Sequence, residues 1–214
     1  MSKVISIEEA VSHVKDGMTI MFGGFLGAGT AVKLVEAIAK KGVKDLTLIG
    51  NDTAYPNKAI GMLIANHQVK KLIASHIGTN SDTIQQFNDK ELEIEFAPQG
   101  TLAERIRCGG AGLGGVLTRT GLGTVVEQGK RKIEIDGKEY LLEMPLHADV
   151  ALIGASICDT VGNCIYKGTT QNFNPMMATA ADLVIVETKE LVEVGTIPME
   201  QVHTPGIYVD YIVQ

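Results

Sequence analysis

Apolar and polar positions alternate in blocks along the first hundred residues. Met18 to Phe22 is a short apolar run that predicts a strand. "AVKLVEAIAKKG" (31–42) then places apolar residues at helical spacing, with Gly42 as the C-terminal stop. "LTLIG" from Leu46, "KKLIAS" (70–75) and "LEIEF" (92–96) predict three more strands. Between them, "NKAIGMLIANHQ" (57–68) predicts a helix that Gly61 weakens, and Thr83 to Asn88 predicts a short one. Buried runs alternating with helices point to a parallel sheet covered on both faces.

After Gly100 the pattern changes. "TLAERIRCGG" predicts a short helix ended by glycines, and "AGLGGVLTRTGLGTVVEQGK" (111–130) reads as a long glycine-rich connection. "KIEIDGKEYLLEM" has alternating strands around Asp136-Gly137, the signature of a tight hairpin. "DVALIGAS", "DLVIVET" and "GIYVDYIV" add strands, with a helix near "PMMATAA". No repeat or linker interrupts the pattern, so residues 1–214 are expected to form one domain. The expected class is α/β: an open, mostly parallel sheet with helices on both faces, plus a C-terminal β-hairpin region.

Composition narrows the function. A net charge of −6 supplies no electrostatic footprint for nucleic acid or an anionic membrane. No apolar run reaches the ~20 residues a membrane helix requires, and the charged N-terminus lacks a signal-peptide core. A cytoplasmic location is expected. Cys108, Cys158 and Cys164 form no CxxC pair, and the five histidines show no metal-ligand spacing, so free thiols and no metal site are expected.

Candidate chemistry gathers where predicted strands end. "GGFLGAG" (23–29) follows the first strand and precedes the first helix. Its Gly23, Gly24, Phe25, Gly27 and Gly29 form either a loop whose N–H groups receive a carboxylate or phosphate, or a tight turn. It is neither a Walker loop nor GxGxxG; the formal GxGxxG at Gly110 follows a helix and is rejected as a dinucleotide fingerprint. Asn51, Asp52 and Gln99 also fall at strand ends, beside this loop. Side-chain amides suit a site that holds a carboxylate or thioester carbonyl; equally, Asn51 and Asp52 shape turns and Gln99 caps a helix. Glu104 reads as a surface partner of Arg107, Cys108 as a small core residue, and His76 and His203 as structural histidines.

These stretches together resemble the α subunit of two-subunit family I CoA-transferases. Asp16, Gly17, the apolar Ile20 to Phe22, Gly23, Gly24, Phe25 and Gly29 are similar to that family's signature. "PQGTLAERIRCGGAG", "YLLEMPLHADVALI", "NFNPMMATAA" and "HTPGIYVDYIV" follow as further blocks in family order. "LIGNDTAYPN", "IASHIGTNSDT" and "GLGGVLTRTGLGT" look most like the branch that moves CoA between acetate or butyrate and acetoacetate. The runner-up is the 3-oxoacid:succinate branch, which usually shows Asn-Asn where this chain has Asn51-Asp52. A non-catalytic ligand-binding module of the same fold is the other alternative.

The resemblance implies a sheet related to that of ribose-phosphate isomerases and a ping-pong reaction through a glutamyl-CoA thioester. It places the nucleophilic glutamate in a β subunit, and no such motif occurs here, so no catalytic residue is expected in this chain. A hetero-oligomer, α2β2 or larger, is implied, with coenzyme A as substrate and no permanently bound cofactor. By the same resemblance, Asn51 and Gln99 orient the acyl or carboxylate group and stabilise its oxyanion, with Asp52 beside them. The chain departs from the pattern at Ala31, where the signature ends in Pro, at Lys58-Ala59, and at Gln171.

Overall fold

The structure is a computed structural model describing residues 3–214. The chain forms α1 (Ile7–Ser12), β1 (Thr19–Phe22), α2 (Val32–Lys41), β2 (Leu46–Ile49), α3 (Gly61–Ala65) and β3 (Val69–Ala74). It continues through α4 (Ser81–Asn88), β4 (Glu93–Phe96), α5 (Gln99–Gly110), β5 (Val116–Thr118), β6 (Lys132–Ile135), β7 (Lys138–Glu143) and β8 (Ala148–Ala155). β9 (Ile157–Asp159), β10 (Cys164–Ile165), α6 (Asn174–Met177), β11 (Ala181–Thr188), β12 (Leu191–Val192) and β13 (Tyr211–Val213) complete it.

Seven strands make one sheet in the order β13-β11-β8-β1-β2-β3-β4, and every pairing in it is parallel. The strands send alternate side chains to opposite faces. Ile20, Phe22, Leu48 and Leu72 pack with Leu34, Val35 and Ile38 of α2 and Leu63 of α3. Met21, Ile49 and Ile73 pack on the other face with Leu102 and Ile106 of α5 and Met177 of α6. Helices thus cover both faces, as the apolar runs require.

Local differences from the sequence expectation have identifiable causes. The helix expected over 57–68 contracts to Gly61–Ala65 because Ala54, Asn57 and Ala59 take left-handed φ values of 53°, 55° and 46°. Gly61 is a requirement there, since a Cβ would lie 2.1 Å from the Tyr55 carbonyl oxygen. The glycine-rich stretch contains β5, which with β7 and β6 forms a small antiparallel sheet. Three strand residues between glycines are too few to show a period. The hairpin forms at Asp136-Gly137, both with positive φ. Within "GIYVDYIV", Gly206–Tyr208 is a 3₁₀ turn following Pro205, and only Tyr211–Val213 joins the sheet.

This topology determines where a site can sit. From β1 the chain moves outward through β2, β3 and β4, then crosses to β8, β11 and β13 on the opposite side. Loops leaving β1 and β8 therefore diverge, opening a crevice at the carboxyl edge, the usual ligand position in an open α/β sheet. A cavity of about 250 Å³ lies there, lined by Gly27, Gly29, Ser156, Thr170 and Glu187 among others.

Candidate active site

The loop after β1 is held rather than open. The N–H groups of Phe25 and Ala28 bond each other's carbonyls at 3.0 and 2.9 Å, closing a two-residue turn with Leu26 at φ 50° and Gly27 at φ 88°. The Gly23 N–H donates to Leu152 O (3.1 Å), the Gly24 N–H to Asn172 Oδ1 (2.9 Å), and the Leu26 N–H to Asp52 Oδ2 (3.1 Å). With five donors so used, the segment is held as a shaped wall, its Gly27 and Gly29 facing the cavity. Phe25 is exposed at its tip.

Two asparagines from "NFNP" staple this wall. Asn172 Nδ2 donates to Ala28 O, while Asn174, fully buried, accepts from Gly154 N–H and donates to Gly29 O and Thr170 O. Gly23 is indispensable to the arrangement: a Cβ there would meet Asn174 Oδ1 at 1.7 Å. The sequence reading treated these asparagines only as part of a block. The available signal was two amides at i and i+2 before a proline, a pattern suited to bonding backbone groups.

On the other side of the loop, side chains from three strand ends converge. Asn51 follows β2, Ser75 follows β3, and Gln99 opens α5 just after β4. Asn51 Oδ1 accepts from Gln99 Nε2 (2.7 Å) and from Ser75 Oγ (2.8 Å), and Asn51 Nδ2 donates to Asp52 Oδ2 (2.8 Å). Asp52 Oδ1 accepts from the Ala54 N–H (2.7 Å). Asn51 and Asp52 are 3% and 4% exposed, whereas Gln99 is exposed. The structure thus brings Asn51, Asp52, Gln99 and the glycine loop together, and adds Ser75, which the sequence reading did not single out.

The geometry separates their possible roles. Gln99 does not cap α5: it is the helix's first residue, its side chain turned back to Asn51, and Pro98 occupies the cap. Gln99 Nε2 retains a second hydrogen on an exposed side chain, the kind of donor that can meet a substrate oxygen. Asp52 is different. Three N–H groups converge on its two oxygens, so as a carboxylate it accepts only and cannot donate to an oxyanion. It braces Asn51 against the loop.

The remaining candidates fall outside this cluster. Arg107 pairs with Glu104 at the surface, 2.8 Å apart, and Cys108 is buried. His203 Nδ1 accepts from the Tyr166 N–H and stacks on that ring. His76 is exposed, its backbone N–H bonded to Asn51 O. Glu187 compensates for Ala31, which offers no side-chain cap to α2: its Oε2 accepts the Leu34 N–H at 3.0 Å. Burial pushes the Glu187 carboxyl above its usual range, against the pull of the Leu34 and Lys33 N–H groups. Among the described residues no cluster of three or more His, Cys, Asp or Glu could hold a metal ion.

Nearly the whole of this chain matches one protein class. The chain belongs to the coenzyme A transferase family, which matches residues 4–214. It is 59% identical over 213 residues to the acetoacetyl-CoA:acetate/butyrate CoA transferase alpha subunit of Clostridium acetobutylicum, covering 100% of this chain and 98% of that one. To the acetate CoA-transferase subunit alpha of Escherichia coli K12 it is 53% identical, covering 99% and 96%. In fold it is similar to the acyl-CoA transferase YdiF of E. coli O157:H7, solved as a thioester complex with CoA. That match has a TM-score of 0.90 at 24% identity and covers 99% of this chain. The chain spans 47% of that longer one, so each of the two relatives in sequence is a closer counterpart in length.

Proposed function

We propose that this chain is the α subunit of a two-subunit enzyme that moves CoA between a short-chain acyl-CoA and a carboxylic acid, acetate or butyrate paired with acetoacetate. The names of its relatives at 59% and 53% identity support the reading, and the Asn51–Gln99 amide pair at the sheet edge carries it. The nucleophile comes from a β subunit. Its glutamate carboxylate attacks the acyl carbonyl and expels the CoA thiolate, leaving a mixed anhydride. The thiolate then attacks the glutamyl carbonyl and releases the first acid, giving the glutamyl-CoA thioester. The acceptor carboxylate repeats these steps in reverse. Coenzyme A is substrate throughout, and the reaction needs no other cofactor.

This chain supplies the wall opposite the glutamate. Gln99 Nε2 meets the acyl or carboxylate oxygen, where negative charge grows in each tetrahedral intermediate, and Asn51 fixes the Gln99 amide. Ser75 and Asp52 in turn fix Asn51: one donates to its oxygen and the other accepts from its nitrogen. The glycine loop, with Phe25 exposed, adjoins the partner. Co-expression with a glutamate-bearing β subunit followed by an assay over a panel of acids tests the proposal. Transfer is expected for the complex and not for the chain alone. Turnover of acetoacetyl-CoA and acetate by the isolated chain would place the nucleophile here and overturn it.

A further inference from the structure

Cys158 of β9 and Cys164 of β10 stand directly opposite each other across an antiparallel pair. Both are buried thiols that the proposed reaction does not use, and their Sγ atoms are 3.5 Å apart. Their backbones turn away from one another: the Cys158 N–H donates to Glu190 O and the Cys164 N–H to Thr204 O, each at 2.9 Å. Opposite residues that exchange no ladder bonds form the close kind of cross-strand pair, with Cα atoms about 4.5 Å apart. That separation lies inside the ~4.4–6.8 Å range that a disulfide spans. The sulfurs need to approach by only about 1.5 Å to reach the ~2.05 Å of an S–S bond.

We propose that Cys158 and Cys164 are a site of reversible covalent modification, closed to a disulfide by a peroxide-class oxidant. One sulfur attacks the O–O bond of the peroxide, giving a sulfenic acid and releasing water. The neighbouring sulfur then displaces the hydroxyl, forming the S–S bond and a second water. The two thiols lose two electrons and two protons to the peroxide, and a small dithiol reductant returns them. The hydrogen bond to Cys158 and burial push the Cys164 thiol well above its usual range, so thiolate is scarce and the first step is slow. Once one sulfur is oxidised, the other is already in contact with it.

The hairpin so closed carries one wall of the sheet-edge cavity. Ser156, just before β9, accepts the Lys167 N–H at 2.9 Å and stands 3.3 Å from Thr170 Oγ1, and both residues line the cavity. Thr170 O accepts from Asn174, which staples the glycine loop. The crosslink therefore stiffens the wall on that side.

The test treats the assembled complex, under native conditions, with excess hydrogen peroxide, alkylates the remaining thiols and maps tryptic peptides by mass. No Lys or Arg lies between Lys138 and Lys167, so both cysteines fall in one peptide. That peptide is expected to be two hydrogens lighter and unalkylated, and dithiothreitol should restore both labels. Its amide hydrogens should also exchange more slowly in the oxidised complex than in the reduced one. Two alkylated cysteines after peroxide, or a sulfinic acid on either, would overturn the modification site. Equal exchange in the two forms would refute the stiffening of the wall.

Discussion

Single atoms decide what each residue of the edge can do. Gln99 is exposed and has a hydrogen to give, whereas Asp52 has both oxygens filled. In the assembled enzyme, Gln99→Ala is expected to lower kcat by ~10²–10³-fold, the usual loss for one oxyanion donor, and Gln99→Glu should be no better. An unchanged kcat would reduce Gln99 to a brace for Asn51. Gly29 makes the same point for packing: its φ is 80°, and a Cβ would stand 2.5 Å from Thr170 O. Gly29→Ala should destabilise the chain by about 1–3 kcal/mol through backbone strain, read from denaturant unfolding. It should also raise KM for the acid, because the wall moves with it.

Between elements, charge pairs tie the sheet edge to its covering layers. Arg105 of α5 donates to Glu95 of β4 at 2.6 Å and lies 3.9 Å from the buried Glu143 of β7. Burial alone would raise the Glu95 carboxyl, but Arg105 and Lys71 outweigh it and hold it below its usual range. Its stabilising contribution is therefore complete above the unfolded carboxylate pKa and is lost as pH falls through the depressed folded value. Arg105→Met should cost about 2 kcal/mol near neutrality by removing the charged hydrogen bond to Glu95 and leaving Glu143 to Lys130 alone. The difference from wild type should narrow in acid, measured as unfolding free energy against pH. Glu187 runs the other way. Its folded carboxyl titrates above the ordinary 4.5, so its contribution is complete below that value and is lost as pH rises through the folded one. Compared with Glu187→Gln, wild type should lose relative stability as pH rises from the ordinary 4.5 through the raised folded value. A flat difference would mean the α2 cap is indifferent to charge.

For the whole molecule, the arrangement of strands puts a set of amides at one edge, and the proposed function assigns the nucleophile to a second subunit. Within the described residues no helix is long and apolar enough to cross a membrane. The isolated chain is expected to fold but transfer no CoA, and mixing with its partner should restore activity with second-order kinetics. Much of this fold was readable along the chain. The runs at Met18, Leu46 and Leu92 gave their strands, and Asp136-Gly137 gave its hairpin, because period and turn chemistry are local. β5 and the 3₁₀ turn at Gly206 were not readable, because three-residue elements depend on what lies beside them.

The same division holds at the site. By itself the sequence determined the class of fold, the family resemblance, and the placing of Asn51, Asp52, Gln99 and the glycine loop at strand ends. Each follows from residue types at short separations. Only the tertiary structure decided that three N–H groups converge on Asp52, that Ser75 joins the amides, and that Asn172 and Asn174 close the loop from about 150 residues away. The physical reason is that a hydrogen bond depends on distance and direction in space. Residues 24 and 172 acquire both only once β1 and β8 lie side by side and the chain crosses between them.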